Sequence, residues 1–480
     1  MITLRWSIRV IGLLSMVILA RLLSPADFGI VAMSMMVVGF VELFSQMGID
    51  LALIRNSQTT RDHYDSAWTL QMFQGLALAM VIFLIAPLAS AYFAEPRVTL
   101  VIQVLALRAL ITGLENIGIV DFRKELDFAR DFRFGVYKKL LAFAVTISLA
   151  FVLRNYWALV VGMVFAAVAG ALLSYRMHPY RPKIAFGKIR EIWSFAQWML
   201  LWRLAFFLNR KIDQFLVGGT YGTSSMGRYY MAAEVATIPT FELVLPLGRG
   251  LFPNYAKMIG DPERFASALL RSFGLVAILC APLGFGLSAV ADSAVIIVLG
   301  EKWRPVIPLL EWFAIFGVAA ALSHLAAIVL FVAGRERLSA VGAWTQVITL
   351  SVILGFGASI WQLEQIAAIR TAIAIGFTPV MIGLISFAAP LGFWQLCGVL
   401  WRPLAAAGAM AIGIQVLDVG SLVDDLPAVL GLEIVLGAGL YGGTLILLWW
   451  IVGRPEGGET AILAGGRRVL ARLFAFASPQ

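Results

Sequence analysis

The chain has 480 residues, of which 61% are hydrophobic and only 14% charged, whereas an ordinary soluble domain is about 25% charged. Its 28 acidic and 37 basic residues are too few to cover the roughly three soluble domains that this length would form. Composition therefore excludes a soluble cytosolic enzyme as the default and predicts an all-α integral membrane protein. The net charge of +9 is expected to mark cytoplasmic loops rather than a nucleic-acid surface.

Apolar runs of about 20 residues, the length needed to cross a bilayer, follow one another along the whole chain. The first half has them at 4–20, 28–49, 67–93, 98–120, 136–153 and 157–177. The second half has them at 191–217, 224–252, 266–299, 306–333, 338–358, 364–388, 400–418 and 427–452. We therefore predict about 14 transmembrane helices, separated by short polar turns such as Ser24-Pro25-Ala26-Asp27 and Gly218-Gly219-Thr220.

The order of features indicates an internal repeat. Phe28-Gly29 opens the second span much as Met226-Gly227 opens the eighth. We expect a six-helix lobe at 1–180, a second at 191–390, an extra helix pair at 395–453 and a basic cytoplasmic tail at 454–480. Helix seven begins near Glu191, whose counterpart would precede residue 1, so the first helix is expected to be short or to start upstream.

Most Lys and Arg residues fall on the side of the membrane that holds the N-terminus. By the positive-inside rule both termini are expected in the cytoplasm. The remaining bases fall within spans or at their edges, where a charge at the centre of a helix costs at least about 2.5 kcal/mol. They are Arg108, Arg203, Arg210, Lys211, Arg228, Arg249 and Arg370.

Several of these bases share a helix face with another. Arg5 and Arg9 are four residues apart, and Arg203 and Arg210 are seven apart, so each pair lies along one face. Guanidinium groups in a membrane cavity suit a phosphate-bearing anion. The candidate diphosphate-binding residues are therefore Arg5, Arg9, Arg203, Arg210, Lys211 and Arg249. Alternatively, Arg5 and Arg9 anchor the helix at the interface, and Arg210 and Lys211 pair with Asp213.

Acidic residues inside or near the spans form a second group of candidates. Intramembrane carboxylates commonly mark ion paths, so Glu42, Asp213, Glu234 and Glu242 are candidates for carrying a coupling proton or cation. Glu234 and Glu242 flank Pro239 on one helix face. Each acid can alternatively serve as an interhelical partner for a buried base.

The sequence lacks the common catalytic motifs. There is no GxxxxGK[ST], HExxH, CxxC or Asp-x-Asp, which disfavours ATP hydrolysis and metal-assisted chemistry. The two cysteines, Cys280 and Cys397, lie in apolar runs and predict neither a disulfide framework nor a metal site. We expect no catalytic residue, no metal, no cofactor and no enzymatic activity.

Several stretches of the sequence share a family pattern: Ala20–Gly29, Met47–Ile54, Asn209–Gln214 with Gly227–Tyr230, Leu251–Pro253, Asp261–Arg264 and Leu299–Trp303. They closely resemble Wzx-type polysaccharide flippases of the multidrug, oligosaccharidyl-lipid and polysaccharide exporter superfamily. The resemblance implies two six-helix lobes around a central cavity that opens alternately to either side of the bacterial inner membrane. It also implies that the extra helix pair holds a lipid tail.

The substrate implied by the resemblance is an undecaprenyl-diphosphate-linked oligosaccharide for surface polysaccharide synthesis. Membrane lipid, a polysaccharide polymerase and other assembly proteins are the further expected partners, and nucleic acid is not. The alternatives are a cation-coupled drug antiporter of the same superfamily, a membrane glycan polymerase or ligase, and a scaffold subunit without transport.

Overall fold

A computed structural model describes residues 2–45, 49, 53–54, 59–187, 197–357, 360–417, 420, 425–455 and 458–460. The side chains at 1–8, 45, 197–203, 243, 245–250 and 252–253 lie outside this description. Every regular element within the described residues is a helix. The expected all-α fold is therefore confirmed. The predicted tail at 454–480 lies outside the described residues beyond Thr460.

The chain divides into two compact units, Met1–Tyr230 and Met231–Gln480. The helices of the first unit are α1 (Ile2–Leu22), α2 (Pro25–Glu42), α3 (Arg61–Phe93), α4 (Arg97–Gly113), α5 (Val120–Lys124), α6 (Phe128–Leu153) and α7 (Trp157–Met177). Helix α8 (Gln197–Met258) begins in the first unit and ends in the second.

The helices of the second unit, after α8, are α9 (Pro262–Ala289), α10 (Ala291–Val298), α11 (Ile307–Val332), α12 (Glu336–Gly357), α13 (Leu363–Leu384), α14 (Phe393–Leu417) and α15 (Leu426–Ile451). Phe273, Trp303 and Phe313 are almost fully buried in this unit. The C-terminal pair is attached to α9, since α14 packs along α9 and α15 along α14. The Tyr441 hydroxyl also donates to the Ile278 carbonyl oxygen over 2.9 Å.

The long helices carry apolar side chains on their outer faces. On α3, Leu84 is 67% exposed and Leu88 is 71% exposed. A continuous apolar surface of this kind would be unfavourable in contact with water. Ten described helices are long and apolar enough to cross a membrane, or eleven if the bent α4–α5 pair is one span. The chain is therefore a multi-pass integral membrane protein, while the number of 14 spans stays a prediction.

Local capping explains several helix boundaries. Asp127 accepts a hydrogen bond from the Arg130 N–H over 3.0 Å, so α6 begins at Phe128 rather than at the predicted 136. The predicted span 98–120 is not one straight helix, because the chain bends by 68° between α4 and the segment that starts at Ile117. The Asn116 side chain accepts from the Gly118 N–H over 2.9 Å and starts that segment.

The break in α8 lies later than the sequence predicts. Gly218 and Gly219 remain helical. A Cβ at Gly218 would lie 2.9 Å from the Phe93 ring, and one at Gly219 would lie 2.8 Å from the Tyr92 ring. These glycines make room for the aromatic end of α3. The chain turns instead at Gly222, whose φ of +74° favours glycine.

Helices α3 and α4 pack closely through a pair of glycines. A Cβ on Gly75 would lie 2.7 Å from the Gly113 Cα, and one on Gly113 would lie 2.9 Å from the Gly75 Cα. Backbones therefore meet directly at this crossing, as small residues permit in membrane helices.

The Gly75→Ala substitution should force the two backbones apart and destabilise the protein by about 1–3 kcal/mol, the usual cost of overpacking. The melting temperature of the purified protein should fall by several degrees in differential scanning fluorimetry. Gly376→Ala in α13 is the matched control, because no atom lies within 4 Å of its added Cβ and alanine favours a helix. Equal melting temperatures for both variants would contradict the close crossing.

Candidate substrate-binding site

Two basic side chains lie near each other in the first unit, where α1 packs against α6. Arg9 is half-buried and Lys139 is exposed. Arg9 lies about 10 Å along α1 from its start, and Lys139 about 16 Å along α6. The Lys139 Cε and Nζ atoms each lie 3.9 Å from the position of a Cβ on Gly12. The Lys139 ammonium is close enough to the Arg9 guanidinium for their charges to interact. We call Arg9 and Lys139 the cation pair.

The two positive charges of the cation pair repel each other. An anion placed between the two groups would remove that repulsion and gain two charge-assisted contacts. Sequence reasoning missed Lys139, because it counted this residue among the cytoplasmic bases. The Asp127 cap and the helical run after it were the signal that could have found it.

The candidate residues on α8 have different surroundings in the structure. Arg210 is exposed and lies 5.8 Å from the Phe206 ring centroid, whereas Asp213 and Gln214 are buried. The Lys211 ammonium donates to the Gln214 Oε1 over 2.9 Å. The side chains of the other predicted bases, Arg5, Arg203 and Arg249, lie outside the described residues.

The acidic candidates occupy different surroundings. Glu42 on α2 pairs with Arg108 on α4 over 3.5 Å, which is the interhelical pairing that the sequence left open. Asp213 accepts a hydrogen bond from the Tyr229 hydroxyl over 2.9 Å. Glu234 and Glu242 are half-buried in the part of α8 that belongs to the second unit.

A further ion pair next to the cation pair was not predicted. Lys138 lies 3.3 Å from the Glu115 carboxylate, and α7 leaves space for both at Gly170. A Cβ there would lie 2.5 Å from the Lys138 Nζ and 3.1 Å from the Glu115 Oε1. Lys138 is thus neutralised by a carboxylate, whereas its neighbour Lys139 lies beside another cation.

Comparison with protein families gives one clear match. The family model described as "Polysaccharide biosynthesis protein" matches residues 18–308. The chain belongs to this family. The match covers most of the first unit, from residue 18, and the beginning of the second, and it confirms the resemblance to polysaccharide flippases drawn from the sequence.

Individual relatives agree with the family assignment. The teichuronic acid biosynthesis protein TuaB of Bacillus subtilis (strain 168) is 24% identical over 76% of this chain and 74% of its own length. The lipopolysaccharide biosynthesis protein WzxC of Escherichia coli (strain K12) is 24% identical over 65% of each chain. Among solved structures, the lipid II flippase MurJ in an inward closed conformation has a TM-score of 0.75 at 10% identity, covering 94% of this chain and 98% of its own. That last likeness shows the fold.

The stretch Ser24–Gly29, which carries much of the family resemblance, builds a helix start. Ser24 and Asp27 form a capping box at the first turn of α2, with Pro25 at the position where its missing N–H is harmless. The second oxygen of Asp27 accepts from the Tyr156 N–H over 3.0 Å. Asp27 therefore joins the start of α2 to the start of α7. Met47–Ile54, by contrast, lies largely outside the described residues.

The glycines that the internal repeat pairs lie in contact within the first unit. A Cβ on Gly29 would clash with the Thr223 carbonyl, and one on Gly227 would clash with the Pro25 carbonyl. The start of α2 and the part of α8 after its break therefore touch backbone to backbone.

After α7 the chain runs along α3 as an extended segment, residues 178–187, which we call the strap. The Asp65 carboxylate accepts from the Lys183 N–H over 2.9 Å and from the Tyr180 hydroxyl. The Ala185 N–H donates to the Thr69 Oγ1 over 2.9 Å. The strap is therefore held on α3 by side chains buried at the helix surface.

His178 begins the strap in its neutral form. Its Nδ1 accepts from the Tyr180 N–H over 3.2 Å, and its Nε2 lies 3.4 Å from the Asp121 carboxylate. Burial lowers the pKa of His178 below its usual 6.5, although Asp121 and Glu125 oppose that shift. Arg130 and Arg181 act in the same direction as burial. Protonation at Nδ1 would remove the bond from Tyr180.

A folded-state pKa below the unfolded value means that His178 stabilises the protein fully above about pH 6.5. This stabilisation is lost as the pH falls from there through the lower folded-state pKa. The melting temperature measured from pH 7.5 to pH 5 should therefore fall less in His178→Asn than in the wild type. His324→Asn is the control and should keep the wild-type slope. An unchanged slope in His178→Asn would refute the role of the neutral imidazole.

Proposed function

We propose that this protein is a flippase that moves lipid-diphosphate-linked oligosaccharide repeat units across the bacterial inner membrane by alternating access. The observation that carries the proposal is the cation pair, Arg9 and Lys139, on two packed helices of a membrane protein. Membership in the polysaccharide biosynthesis family supports the substrate class.

A diphosphate is the part of such a substrate that the bilayer opposes most strongly. An unpaired anion in an apolar medium is prohibitively costly, whereas the lipid tail can stay in the hydrocarbon. The Arg9 guanidinium provides a planar fork for phosphate oxygens and the Lys139 ammonium a compact charge. Together they would replace the water that the diphosphate loses. A cationic drug would instead increase the repulsion at this site, which disfavours the antiporter alternative.

A transport site must bind its substrate and then release it, so an ion pair whose acidic partner can be replaced by the substrate suits such a site. Arg108 is only partly buried and lies 3.5 Å from Glu42, so an incoming phosphate could compete for the same guanidinium. Glu42 would then be free to bind a proton or cation, which makes it our first choice for coupling. Asp213, Glu234 and Glu242 stay as further coupling candidates, and Arg5, Arg203, Arg210, Lys211 and Arg249 as further diphosphate contacts.

The lipid tail has a suitable surface in the second unit. An apolar cavity of about 340 Å³ lies between α9, α11, α13 and α14. Its lining includes Phe285, Ile382, Trp401 and Leu404. Because α14 belongs to the C-terminal pair, this cavity supports the proposal that the pair accommodates the tail. We further propose that both termini lie in the cytoplasm, as the distribution of Lys and Arg predicts.

Lys139→Ala should lower transport at least tenfold, because one of the two charges that offset the diphosphate is lost, and tenfold corresponds to about 1.4 kcal/mol. Transport is measured in vesicles as the fraction of a lipid-linked oligosaccharide that becomes accessible to an external glycosidase. Lys139→Arg should retain most of the rate.

Arg133→Ala is the matched control, since Arg133 is an exposed base on the same helix. It should transport at the wild-type rate. Wild-type transport by Lys139→Ala, at equal abundance in the membrane, would contradict the proposed site.

A further inference from the structure

The strap forms one wall of an open polar cavity at the end of the first unit where α3 begins. We call it the strap cavity. Its volume is about 480 Å³, within the range of roughly 300–1,000 Å³ typical of ligand sites. Its lining includes Thr60, Arg61, Tyr64, Asp121, Tyr180 and Arg181.

Two tyrosine rings are fixed at the cavity by carboxylates. The Tyr64 hydroxyl donates to Asp121 and the Tyr180 hydroxyl to Asp65, and the ring centroids lie 5.7 Å apart at 54°. Because the hydroxyls are engaged at the edges, the ring faces are held in place with little freedom to rotate. Rigid aromatic faces of this kind provide large contact area at a low entropic cost.

Two guanidinium groups lie beside these rings. The Arg181 Nη1 donates to the His178 and Tyr180 carbonyl oxygens, both over 2.9 Å, and the Arg61 Nη2 donates to the Arg181 carbonyl over 3.4 Å. A guanidinium has five N–H donors. These hydrogen bonds use one terminal nitrogen of each side chain, and the Arg61 Nε also lies 3.8 Å from an Asp65 carboxylate oxygen. Both side chains are exposed at the cavity mouth.

The charge of the lining favours an acidic ligand. Among the lining residues, Arg61 and Arg181 contribute two positive charges and Asp121 contributes one negative charge that the Tyr64 hydroxyl already contacts. The Asp65 carboxylate, outside the lining, lies 3.8 Å from the Arg61 Nε, so Arg181 provides the main positive charge for an acidic ligand. Bidentate recognition of a carboxylate is the characteristic contact of arginine. A cavity that combines aromatic faces, hydroxyl groups and an arginine pair suits a sugar ring that bears a carboxylate.

We propose that the strap cavity binds a hexuronic acid residue of the transported glycan, an inference that rests on the proposed function. The sugar ring lies against Tyr64 and Tyr180, its carboxylate binds Arg61 and Arg181, and its hydroxyl groups bond to Thr60 and Asp121. The cation pair then selects the diphosphate and the strap cavity selects the glycan.

The test is saturation-transfer NMR on the purified full-length protein with matched monosaccharides. The probes are the methyl glycosides of glucose and galactose and their uronic acid counterparts, which differ only at the sixth carbon. At least one uronide should bind at least fivefold tighter than its neutral counterpart. Equal affinities in both pairs would overturn the proposal.

Variants connect that binding to the cavity. Arg181→Gln should bring uronide affinity down to that of the neutral glycoside, and Arg61→Gln provides the same test if the first variant does not fold. Arg154→Gln, an exposed arginine outside the lining, should bind as the wild type does. Unchanged uronide binding in both cavity variants would refute the assignment.

Inorganic phosphate is added as a competitor, because a general anion site would accept it. It should leave the uronide signal unchanged at equal concentration, and full displacement would identify an anion site rather than a sugar site. Free monosaccharides bind without transport, so Lys139→Ala should retain uronide binding while losing translocation.

Discussion

The cost of holding a charge inside a bilayer is the constraint on which the rest of this structure depends. That cost is roughly 2.5–3.5 kcal/mol at the centre of a helix, and the protein offsets it by pairing bases with acids. Arg108 and Lys138 each lie beside a glutamate. The charges of Arg9 and Lys139 are close enough to repel each other, and a phosphate-bearing substrate would relieve that repulsion.

The packing of the first unit positions the cation pair. Direct backbone contacts at Gly75 and Gly113 fix α3 against α4, and Gly170 on α7 leaves space for the ion pair beside Lys139. The family-resembling turn at Ser24 contributes caps rather than chemistry, since Asp27 joins two helix starts. These contacts require glycine where helices approach closely and short polar residues where helices are capped. Neither requirement depends on which glycan is transported.

Much of the fold could be predicted from the sequence, because apolar length and capping residues act locally. The span at 157–177 coincides with α7, and most other boundaries differ by a few residues. The break at Gly222 could not be predicted, since Gly218 and Gly219 are stronger turn signals until the Tyr92 and Phe93 rings are known to occupy the space beside them.

The candidate site was predicted less well, because it depends on which helices pack together. Arg9 was found from its helical spacing. Lys139 was missed, since its proximity to Arg9 follows from the packing of α1 on α6, which no sequence spacing reveals. The strap cavity was missed for the same reason: Tyr64 and Tyr180 come together only when the strap lies on α3.

The most direct measurement of the central claim is the affinity of the purified protein for farnesyl diphosphate, a short isoprenoid that lacks any sugar, compared with farnesol. We expect the wild type to prefer the diphosphate strongly. Replacing both Arg9 and Lys139 by glutamine should weaken diphosphate binding at least tenfold, about 1.4 kcal/mol, and leave farnesol binding unchanged. Equal diphosphate affinity in the wild type and the double variant would show that the cation pair does not bind the diphosphate.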